Sequence, residues 1–79
     1  MPDREQELRD LEAAKSRIAQ GERLVAEQEQ RLEVLRKDGH PTEKAEQVLA
    51  NLRHAVQALR ASQAVIERTL QNMEAGKLP

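Results

Sequence analysis

Apolar residues recur along this chain at alternating intervals of three and four. Leu11, Ile18, Val25 and Leu32 stand seven apart, and Ala14, Gly21, Gln28 and Leu35 each follow one of them by three. The second half repeats the pattern, with Leu49, Val56, Gln63 and Leu70 in one series and Ala45, Leu52, Leu59, Ile66 and Met73 in the other. We label the series led by Leu11 and Leu49 position a and the others position d. A heptad sustained over this length predicts helices that pack as a coiled coil. The pattern breaks once, at Gly39-His40-Pro41.

The punctuation around the pattern sets the expected boundaries. Asp3 is a good N-cap, and Gln6 three residues later completes an approximate capping box. Only Gly21 weakens the following stretch, by roughly 1 kcal/mol relative to Ala. Gly39 is the expected left-handed C-cap, with Pro41 just beyond. Thr42 is placed to cap a second helix, with Glu43 in its first turn favoured by the helix dipole. Gly76 stands as the second C-cap, and Pro79 follows. These signals predict one domain over 1–79, with a helix over about 4–38, a turn at 39–42 and a helix over about 43–75. Each helix is then roughly 50 Å long at 1.5 Å per residue. Matched lengths and a short connection favour an antiparallel hairpin. One register sets Leu35 with Leu49, Leu32 with Leu52, Val25 with Leu59, Ile18 with Ile66, and Leu11 with Met73. It also sets Gly21 against Gln63.

The positions beside the seam differ between the two edges. In an antiparallel pair the e positions face each other, giving Arg36 with Glu46, Glu29 with Arg53, Glu22 with Arg60 and Lys15 with Glu67. All have opposite sign, which favours this register more than it adds stability. The g edge instead carries Leu24 on the first helix and Val48, Ala55, Ser62 and Thr69 on the second, with Ala58 and Val65 widening the stripe. A two-helix hairpin buries little surface per ordered residue, and small scaffolds without disulfides or metal often oligomerise. The expected fold is therefore all-α, a two-helix antiparallel coiled-coil hairpin that dimerises through the g edge into a four-helix bundle. The expected partner interface is Leu24, Val48, Ala55, Ser62 and Thr69.

Composition agrees with long helices. There are ten Leu and eleven Ala but no Phe, Trp or Tyr, so the large groups that usually anchor a small core are missing. Thirteen basic and fourteen acidic residues are well mixed and give a formal charge of −1, without a block suited to a strongly charged partner. No apolar run is long enough to span a bilayer. The polar start, Met1-Pro2-Asp3-Arg4-Glu5, lacks a signal-peptide core, and a cytoplasmic location is expected. The absence of Cys excludes disulfides and thiolate metal sites.

Candidate chemistry is sparse. Di-metal carboxylate bundles use Glu-x-x-His, but Lys37 precedes His40 and Asn51 precedes His54 at that spacing. His40 is read as part of the helix end and His54 as a surface residue. Isolated Gly21 and Gly39 do not form a phosphate loop, and Ser16 and Ser62 have no nearby His to activate them. A catalytic carboxylate pair needs a cavity that separates its two pKa values, which a hairpin does not supply. No catalytic, cofactor or metal site is expected, and the chain is read as not an enzyme. Gln28 and Gln63 interrupt the seam at single positions, where buried polar residues fix register. Arg17, Arg31, Arg53 and Arg60 are the candidates for nucleic-acid contact, but no aromatic residue is available to stack on bases.

The stretch from Glu22 to Leu52, with its Asp38-Gly39-His40-Pro41-Thr42 turn followed by Val48-Leu49, resembles small uncharacterised bacterial helical-hairpin proteins, which share an Asp-Gly-His-x-Thr turn. The resemblance implies a bacterial origin and a hairpin, and it brings no known activity. The functional expectation is a protein–protein interaction module, a small adaptor or regulator that binds itself and another helical protein. The alternative is a nucleic-acid-binding hairpin dimer.

Overall fold

The computed structural model of the protein describes residues 3–76. Two α-helices, α1 over Arg4–Lys37 and α2 over Glu43–Ala75, lie antiparallel in a rod of 65 × 16 × 15 Å. Among the described residues there is no strand. Every a and d position from Leu11 to Met73 is buried or half-buried, as a heptad seam requires.

The turn is built from backbone hydrogen bonds. Asp38 ends α1, and Gly39 follows with φ of 71°, the left-handed conformation that a Cβ disfavours. The Gly39 N–H then donates to the Arg36 carbonyl at 3.2 Å and the His40 N–H to the Leu35 carbonyl at 2.9 Å. These are the paired bonds of a Schellman motif, which satisfies carbonyls that the helix end would leave open. His40 thus completes the helix end through its main chain.

The other ends differ from expectation in detail. Asp3 has extended backbone (φ −97°, ψ 125°), and its carboxylate accepts from the Glu5 N–H at 3.2 Å. Gln6 does not close the capping box; its amide donates to Asp10 at 2.9 Å instead. Thr42 stands at the start of α2 but makes no capping bond, because its backbone is already helical (φ −115°, ψ −5°). An N-cap hydroxyl reaches back only from an extended backbone. The Thr42 hydroxyl instead donates to the Glu46 carboxylate at 3.4 Å. Gly76 ends α2 with φ of −67°, helical and not left-handed. Pro79 lies outside the described residues.

Packing is tightest near the turn. Leu32, Ala45 and Leu49 form the buried cluster, with Val25 and Leu35 packed against it. Gln28 is also buried, and its Nε2 donates to the Ala45 carbonyl at 3.1 Å. Among the described residues no buried side-chain nitrogen or oxygen lacks a partner. Gln28 therefore ties α1 to a single level of α2, a fixed point that an apolar residue would not supply. Gln63 has no such role: it is half-buried and donates to Glu67 on its own helix at 3.4 Å.

One seam contact departs from the expected register. A Cβ added at Gly21 would lie 2.8 Å from Cγ2 of Val56, so Gly21 faces Val56 and not Gln63. A d-position residue sits among four side chains of the facing helix, and heptad counting alone does not say which is nearest. The glycine is a site of close helix approach.

Candidate interaction surface

The two edges of the seam have different chemistry. Along the e edge, Arg36 reaches Glu46 at 3.2 Å, Arg53 reaches Glu29 at 3.0 Å and Arg60 reaches Glu22 at 3.1 Å. These are three of the four expected pairs. The fourth, Lys15 with Glu67, is not among the ion pairs of the described residues. An exposed Lys–Glu pair gains little, and Glu67 accepts from Gln63 instead. A further pair joins Arg4 and Glu74 at 3.0 Å. Leu8 occupies the e position across from Glu74, so the carboxylate turns to Arg4, one helical turn earlier.

Between Glu22, Glu29, Arg53 and Arg60 lies an open groove of about 650 Å³, floored by Val25 and Val56 and bordered by His54. Both of its carboxylates are engaged by guanidinium groups. Among the described residues no group of three or more His, Cys, Asp or Glu side chains could hold a metal ion. No helix there is long and apolar enough to cross a membrane.

The g edge differs between the helices: on α1 Leu24 stands between Arg17 and Arg31, and on α2 Val48, Ala55, Ser62 and Thr69 carry no charge. Leu24 is 45% exposed and Val48 46%, both large for aliphatic groups on so small a chain. Ala55 and Ser62 follow Val48 along α2 and are exposed as well. Thr69 is half-buried, and its hydroxyl donates to the Val65 carbonyl at 3.0 Å, a bond back along the helix that occupies its polar end. Val65, which widens the stripe at position c, is 60% exposed. Val34, at position c of α1, is also exposed and was not singled out from the sequence. The signal was there: c lies next to g on a helix, so Val34 extends the same face.

From Val48 to Asn72, α2 presents no charged residue at its g and c positions. Val48, Ala55, Ala58 and Val65 are interspersed there with the uncharged polar residues Asn51, Ser62, Thr69 and Asn72. Compared with protein-family models, characterised proteins and solved structures, the chain matches none of them.

Proposed function

We propose that this chain is a protein–protein interaction module, a small helical-hairpin adaptor or regulator that works as a homodimer in a four-helix bundle. The observation that carries the reading is the contrast between an e edge closed by Arg36–Glu46, Arg53–Glu29 and Arg60–Glu22 and an opposite edge that exposes Leu24 and Val48 at g and Val65 beside them at c. The thinness of the core supports it as well. Among the described residues no large side chain is completely buried, and only six hydrophobic residues are buried at all. A second hairpin would cover the open edge and complete a core that one hairpin leaves half-made. A bundle of this kind leaves its outer faces available to a further helical protein. The cytoplasmic setting and the absence of catalysis belong to the same proposal.

Two of the four arginines that would serve a nucleic acid, Arg53 and Arg60, are engaged by Glu29 and Glu22, which weighs against that alternative.

Light scattering with refractive-index detection tests the proposal, since a chain without Trp, Tyr or Cys is nearly invisible at 280 nm. The expected mass at micromolar concentration is twice the 9.0 kDa of one chain. Ala55→Glu would place a charge in the apolar contact, where desolvation costs several kcal/mol. It is expected to yield a monomer that keeps helical circular dichroism. Arg60→Ala touches only an exposed pair and is expected to leave the mass unchanged. A 9.0 kDa mass for the unaltered chain across a wide concentration range would overturn the proposal. Dissociation by Arg60→Ala but not by Ala55→Glu would move the interface to the charged edge.

A further inference from the structure

We draw no further inference here: the strongest candidate, the uncharged surface stripe of mostly small residues along α2 from Val48 to Val65, carries none because nothing in the structure shows what covers it.

Discussion

The turn end and the open end of the hairpin are held by different forces. At the turn, the Schellman bonds, the Gln28 bond to Ala45 and the Leu32, Ala45 and Leu49 cluster act within one short stretch of chain. At the open end, Leu11, Ile66, Leu70 and Met73 are only half-buried, and burial is confined to Ala14 and Ile18. The closing contact there is the exposed pair of Arg4 and Glu74, 70 residues apart in sequence. Chain closure costs more entropy across a longer loop, and an exposed ion pair repays little of it. The difference teaches that order in this molecule spreads from the turn. The open end is expected to unfold locally at lower free energy than the turn.

Truncating one leucine at each end gives the largest expected effects. Leu49 is 6% exposed in the buried cluster, and Leu49→Ala is expected to cost about 3 kcal/mol in transfer and cavity terms. Leu70 is half-buried, and Leu70→Ala is expected to cost about 1 kcal/mol, because less of it leaves water on folding. Urea unfolding followed by circular dichroism at one fixed protein concentration gives both numbers, since oligomer stability shifts with concentration. Equal losses would abolish the distinction between the ends.

Gly21→Ala comes next and probes the midpoint between them. Helix propensity alone favours Ala by roughly 1 kcal/mol. The new methyl, however, meets Val56 Cγ2 at 2.8 Å, and Val56 is buried and stiff at χ1. Overpacking typically costs about 1–3 kcal/mol, so the net expectation is destabilisation by up to roughly 2 kcal/mol. Removing the clash with Val56→Ala in the same chain is expected to make the two losses less than additive. Stabilisation by Gly21→Ala alone would show that the helices separate freely at this level.

The seam and the e edge were legible in the sequence because both follow from a strict period. Once a and d are assigned and the short turn limits the register, Arg36, Glu29 and Glu22 fall beside Glu46, Arg53 and Arg60. Gly39 was legible for a similar reason, since a left-handed residue before Pro41 has few alternatives. The contact of Gly21 with Val56 was not legible, because neighbouring holes along a seam look alike to a heptad count. Nor was the failure of Thr42 as a cap, which depends on its own backbone angles and not on its residue type. Val34 was legible only through its place beside the g positions, because an isolated valine between Glu33 and Leu35 carries no period of its own. The apolar face was readable as a stripe, whereas its level relative to Leu24 needed the observed Gly21 and Glu22 contacts.

Gly39→Ala tests the turn itself, at about 1 kcal/mol. A Cβ at Gly39 would have nothing within 4 Å, so the cost is conformational and owes nothing to packing. Gly39→Asn is expected to cost less, because Asn tolerates the left-handed region better than Ala. Thermal unfolding of the three chains orders them, and a tie between Ala and Asn would argue against strain at this residue. The contrast with Gly21 is direct: one glycine is required for its angle and the other for its lack of volume.

The smallest expected effect lies at Arg4. Its guanidinium and the Glu74 carboxylate are about half exposed, with side chains 46% and 57% accessible. Solvent screening leaves such a pair worth about 0–1 kcal/mol, and Arg4→Ala is expected to lie at the low end of that range. Global unfolding would then barely register the change. Hydrogen exchange resolves it by position: amides in the first turns of α1 and the last turns of α2 should exchange faster, while those of His40 and Gly39 keep their rates. Added salt should erase the difference between Arg4→Ala and the unaltered chain, because it screens the exposed pair that the substitution removes. If Arg4→Ala instead sped exchange along both helices as far as the turn, the open end would be a clamp on the whole hairpin. Order would then spread from both ends toward the level of Leu24, and not from the turn outward.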